Sequence, residues 1–158
     1  MAKYLLDSNI ITALEDPDKP GFMLVTERLS VLADDDEVCI SILAAYEYKH
    51  GIAKAPEELK DSLQKAWDDF EERFSIVPLS LHGAELYGTL KAKYEKHTGA
   101  SKRALMERTV DLILASTAIE NEAVLVSDDR IFHAIREFTP SLQIENWKEL
   151  ATPSGRDR

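Results

Sequence analysis

Cysteine is almost missing from this chain, with Cys39 alone between Val38 and Ile40. No disulfide can form within it, and a lone thiol in an apolar run is a buried, inert group by default. Long hydrophobic runs are missing too: nothing approaches the roughly 20 apolar residues that span a bilayer, and no basic segment leads into a signal-like apolar core. A soluble protein of a reducing cytoplasm, with no membrane role, is therefore expected. Basic residues are scarce, 19 Lys and Arg against 29 Asp and Glu for a formal charge of -10. Tight unaided binding to a polyanion or an acidic membrane is thereby excluded, and any nucleic-acid role needs a local reversal of the field. Repeats, low-complexity tracts and linkers are also lacking, and 158 residues suit one self-supporting domain, expected over residues 1–150. Residues 151–158 are polar, rich in turn formers and terminal, as a flexible tail would be.

What is present is a regular alternation of short and long apolar patterns. Lys3 to Leu6, Glu37 to Ser41, Ser75 to Leu79, Ala123 to Ser127 and Leu142 to Glu145 are short, apolar and bounded by polar or turn residues, as strands are. Between them run helical periods. In Leu59 to Phe74, the residues Leu59, Leu63, Trp67, Phe70 and Phe74 recur at three- or four-residue steps. Further helices are expected over Gly21 to Ala33, with Met23, Val25, Leu29 and Leu32 facing a core, and over Ile42 to His50, where Gly51 could end the helix. Two more follow, His82 to His97 with Gly99 beyond its end and Asp111 to Asn121 with Thr109 as N-cap candidate. Strands separated by helices of this length require crossovers, so the fold class is α/β: a three-layer sandwich with a mainly parallel central sheet flanked by helices.

Acids stand at the informative joints of this pattern. "LLDSN" ends the first strand in Asp7, "SILAAYEYKHG" carries Glu47, Asp111 opens an apolar helix, and Asp128 and Asp129 follow the strand Ala123 to Ser127. Each has an ordinary structural use, as a helix cap, a first-turn acid complementing the helix dipole, or a solvated helix-former. Only the fold brings them to one place, because strand carboxyl ends line the natural site of a parallel sheet. Carboxylates gathered there repel unless a cation joins them, and an oxygen-only set suits Mg²⁺ or Mn²⁺ rather than zinc.

These stretches resemble the PIN-domain family, most closely its VapC-type members, the ribonuclease toxins of toxin–antitoxin pairs. "LLDSN" is similar to the family's opening motif, "SILAAYEYKHG" to its second, "VDLILASTA" to its third and "VLVSDDRIF" to its fourth, so the resemblance covers nearly the whole chain. Two departures stand out: Ser8 where many relatives carry Thr, and a longer segment from Ala100 to Arg108.

The resemblance implies a metal-dependent endoribonuclease with Asp7, Glu47, Asp111 and Asp129 as catalytic acids. Asp7, Asp111 and Asp129 would ligate Mg²⁺, with Mn²⁺ as the alternative. Asp129 is chosen over Asp128 by its distance from Phe132. Asn9, Ser127 and Asp128 would then orient ligands or substrate. Lys102, Arg103 and Arg108, in a stretch where bases outnumber acids, are candidates for RNA-backbone contact or simply a solvated face. His50, His82, His97 and His133 lack a recurring partner and are expected to be surface or structural residues; Tyr46, Tyr48 and Trp67 are expected in the core or an interface. The partners implied are RNA, a cognate antitoxin and a second copy in a homodimer. The alternatives are a binding module of the same fold without catalysis and a free-standing RNA-processing nuclease. A phosphatase using an Asp nucleophile is disfavoured, because Asn9 stands where its second Asp belongs.

Overall fold

The computed structural model describes residues 1–150; the expected tail at 151–158 lies outside the described residues. The chain runs β1 (Lys3–Leu6), α1 (Ser8–Ala13), α2 (Phe22–Ser30), β2 (Glu37–Ser41), α3 (Ile42–Lys54), α4 (Glu57–Arg73) and β3 (Ser75–Val77). It continues through α5 (Leu81–Thr98), α6 (Lys102–Glu107), α7 (Thr109–Glu120), β4 (Val124–Val126), α8 (Ile131–Phe138) and β5 (Ile144–Glu145). The strands form one sheet in the order β3-β2-β1-β4-β5, with every pair parallel. The chain builds outward from β1 in one direction and then jumps to β4 on the other side. The β1/β4 seam is thus the point where strand order reverses, the place at which parallel sheets form sites.

Both faces of the sheet are covered, which explains why its strands read as nearly continuous apolar runs. Alternation assigns Leu5, Cys39 and Leu125 to one core with Leu90, Tyr94, Leu112, Ala115, Phe132 and Ile135. It assigns Leu6, Ile40 and Val126 to the other, with Ile10, Ile11, Val25, Trp67, Phe70 and Trp147. Burial pushes the Cys39 thiol up to about 11, consistent with an inert packing residue.

The element types follow the sequence patterns, and the differences have local causes. Gly51 does not end a helix: α3 runs through it to Lys54 and stops at Ala55, because Pro56 disfavours helical backbone in the residue before it. Thr109 is not an N-cap; it is the first residue of α7, and its hydroxyl points back to the Leu105 carbonyl. The added stretch before Asp111 holds a short helix, α6, capped by the Ser101 hydroxyl on the Ala104 N–H. Met23 is 73% exposed and Tyr46 71%, so neither joins the core, whereas Val25 and Trp67 do. Gly99 caps α5 in the left-handed region at φ 62°, as its position suggested.

Candidate active site

Asp7 follows β1 directly, and the parallel register that pairs Leu6 with Val126 sets it beside Ser127. Its backbone N–H donates to the Val126 carbonyl at 2.9 Å, continuing the ladder one residue past the strand. The carboxylate then works in two directions. Oδ1 accepts the Ser8 N–H at 2.7 Å and caps α1, while Oδ2 accepts the Ser127 hydroxyl at 2.7 Å and the Asn9 amide at 3.1 Å. Asn9 also donates to Ser127 Oγ at 3.2 Å, which ties the start of α1 to the end of β4.

Past β4 the two consecutive aspartates part company. The Asp129 N–H donates to Ser127 Oγ at 3.0 Å, and Asp129 Oδ1 accepts the Ile131 N–H at 3.0 Å, opening α8. Asp128 turns away, its carboxylate receiving the Lys148 ammonium at 2.6 Å. Lys148 was invisible to sequence reasoning. It arrives because buried Trp147 anchors the end of the described chain, donating Nε1–H to Glu145 at 2.7 Å, while the Lys148 stem lies against the left-handed turn at Gly21. No local pattern announces such a contact.

Glu47 reaches the same edge from α3 and Asp111 from the first turn of α7. The electrostatics report their common location. Burial, countered by the Ser127 and Ser8 bonds and reinforced by the Asp129 charge, holds the Asp7 carboxyl above the ordinary carboxylate value. Glu47 is raised by burial and by the charges of Asp7 and Asp111, against a bond to the Ser8 hydroxyl. Asp111 is raised by burial and by Asp129 and Asp7, against the pull of Arg108, whose guanidinium stands 3.4 Å from Oδ2. Four carboxylates thus feel one another at the β1/β4 seam.

Among the described residues no three His, Cys, Asp or Glu side chains stand close enough together to hold a metal ion as they are placed. The acids form an open set. A hard, strongly hydrated cation such as Mg²⁺ keeps several of its waters and needs only one or two carboxylates directly, so an open, oxygen-only, mutually repelling set fits it better than it would zinc. Of the basic residues singled out from sequence, Lys102 is exposed, Arg103 pairs with Glu107, and Arg108 stands within the site on Asp111.

The model of the PIN domain family matches residues 4–137. Among solved structures, the chain is similar to one in VapBC2 from Rickettsia felis bound to a DNA fragment from their promoter, at 28% identity and TM-score 0.73, covering 92% of this chain and 98% of that one. VapBC-1 from nontypeable Haemophilus influenzae matches at 23% identity and TM-score 0.72, with 93% and 99% covered. FitAcB from Neisseria gonorrhoeae matches at 22% and 0.71, again with 93% and 99% covered; at these identities the last two speak for the fold. No curated protein matches the sequence closely enough to count as a relative.

Proposed function

The chain belongs to the PIN domain family, and from that premise we propose that it is a metal-dependent endoribonuclease, the toxin of a VapBC-type toxin–antitoxin pair. PIN domains are nucleases and generally use divalent metal ions. The observation that carries the reading is the gathering of Asp7, Glu47, Asp111 and Asp129 at the seam where strand order reverses, with three of them raised by burial and then by the charges of their neighbours. A structural role for each acid separately does not account for that gathering.

In this reading Asp7 and Asp111 hold the principal ion, and Asp129 and Glu47 complete its surroundings directly or through water. Mg²⁺ is the expected ion, with Mn²⁺ as the alternative. When bound, such an ion supplies an acidified water and offsets charge on the phosphate. The chain's own groups supply aim. Ser127 and Asn9 fix Asp7 Oδ2 from one side and the Ser8 amide fixes Oδ1 from the other, so the carboxylate cannot rotate away from the site. Asp129 is held by two bonds to backbone N–H and side-chain hydroxyl groups, and among the described residues its other carboxylate oxygen accepts no hydrogen bond. No side chain is required as covalent nucleophile.

The partner reading draws on the similar solved structures, which include VapBC2 and VapBC-1. It also draws on a groove of about 450 Å³ that leads away from Ser8 and Glu47 between α1, α3 and α4, walled by Ile11, Ala44, Ile52 and Leu63. An apolar antitoxin segment lying there could place an arginine on the acids, since guanidinium pairs well with carboxylate. A homodimer and a cytoplasmic setting belong to the same proposal.

End-labelled cellular RNA incubated with antitoxin-free protein in Mg²⁺, Mn²⁺ or EDTA, beside Asp7→Asn, tests the activity. Cleavage that needs the ion and disappears in the variant supports it. Absence of cleavage by folded protein that binds the ion, across transfer, ribosomal and messenger RNA, would favour the binding-module alternative instead.

A further inference from the structure

Arg108 sits at a joint. It ends α6 and immediately precedes α7, with φ -97° and ψ 3°, so neither helix carries its side chain along a regular face. The guanidinium stands 3.4 Å from Asp111 Oδ2, with Tyr94 in its neighbourhood. Tyr94 belongs to α5 and is packed in the core. The carboxylate it meets is one that also feels the charges of Asp129 and Asp7. Among the described residues Arg108 is the one Lys or Arg that forms an ion pair with any of Asp7, Glu47, Asp111 and Asp129. The neighbouring cation Lys148 is engaged with Asp128.

We propose that Arg108 is an internal counter-ion, which occupies Asp111 in the metal-free protein and competes with an incoming divalent cation for that carboxylate. The proposal rests on the metal-site reading above. The guanidinium draws negative charge from Asp111 and repels a second cation, so an ion that binds this carboxylate weakens the pair. The pair is partly solvated, with 43% of the Arg108 side chain and 24% of the Asp111 side chain exposed. It is therefore weak enough to yield, and its removal should tighten ion binding only about two- to fivefold. Arg108 is then a positioning residue: it limits repulsion among the acids before loading and yields Asp111 on loading.

The test is a Mn²⁺ titration followed by the electron paramagnetic resonance of the free ion, on the RNA-free protein and on Arg108→Gln, Arg108→Lys, Asp111→Asn and the double variant Asp111→Asn with Arg108→Gln. Circular dichroism checks that each is folded. The expected result is tighter Mn²⁺ binding in R108Q by about two- to fivefold, near-normal binding in R108K, and no tightening by R108Q in the D111N background. Unchanged or weaker binding in R108Q, with D111N still weakening it, overturns the proposal alone. Equal tightening with and without Asp111 also overturns it, since the effect would then be the general field. Mn²⁺ binding indifferent to D111N overturns the metal-site reading, and the proposal with it.

Discussion

Ser127 donates its hydroxyl to Asp7 Oδ2 across 2.7 Å and 120 residues of sequence. The same oxygen of Ser127 accepts the Asp129 N–H and the Asn9 amide, so one small side chain aligns two of the acids and an amide at the seam. Ser127→Ala should lower ion affinity and cleavage by about 10- to 100-fold, as the loss of a group that orients a ligand usually does. It also removes a bond favouring the charged form of Asp7, so the acidic limb of the pH–rate profile should move to higher pH. Both are read from rate against pH and against ion concentration.

The acids should cost stability at neutral pH. Asp7, Glu47 and Asp111 are all raised, burial first and neighbouring charge next, so the folded state binds protons more tightly than the unfolded state does. Their contribution is fully present below the ordinary carboxylate range and is lost as pH rises through the raised values. Asp111→Asn, even with the Arg108 pair gone, should melt higher than wild type at pH 7 while losing more than about 100-fold in cleavage. The melting difference should vanish near pH 3. Mg²⁺ should raise the wild-type Tm at pH 7 and raise that of the variant less. Thermal melts at the two pH values, with and without the ion, decide this.

Trp147 is fully buried, tilted against Tyr4 at 5.1 Å and bonded to Glu145. Trp147→Ala should destabilise the protein by about 3–5 kcal/mol. Trp147→Phe should cost less, because Arg28 still holds Glu145 at 2.8 Å. Urea midpoints at constant slope measure the difference.

Two glycines should respond with opposite sign. At Gly51, inside α3, an added Cβ meets nothing within 4 Å, so Gly51→Ala should stabilise by about 0.5–1 kcal/mol through helix propensity. At Gly21, φ is 85° and a Cβ would stand 3.0 Å from Lys148 Cγ, so Gly21→Ala should destabilise by about 1–2 kcal/mol or more. It should also disturb the Lys148 to Asp128 bond. Paired denaturation curves of the two variants check both signs.

Sequence by itself determined what depends on near neighbours. Apolar runs and helical periods mark the strand and helix types, because burial of a face repeats every two or about 3.6 residues whatever lies opposite. Gly99 ends its helix because a residue without a Cβ accepts the left-handed backbone there. The motif resemblance picked out Asp7, Glu47, Asp111 and Asp129 by order along the chain. Tertiary structure decided what depends on distant partners. Asp128 and Asp129 are adjacent and identical in type, yet one meets Lys148 and the other opens α8 beside Ser127. Arg108 reads from sequence as a candidate RNA-backbone contact or a solvated base, and only the joint between α6 and α7 lays it on Asp111. Met23 fits an apolar pattern but faces solvent, because the core needed only the Val25 side of α2. Periodicity states that a face is buried; only the packed sheet determines which charges stand across from one another, since a charge's energy is set by what is near it in space.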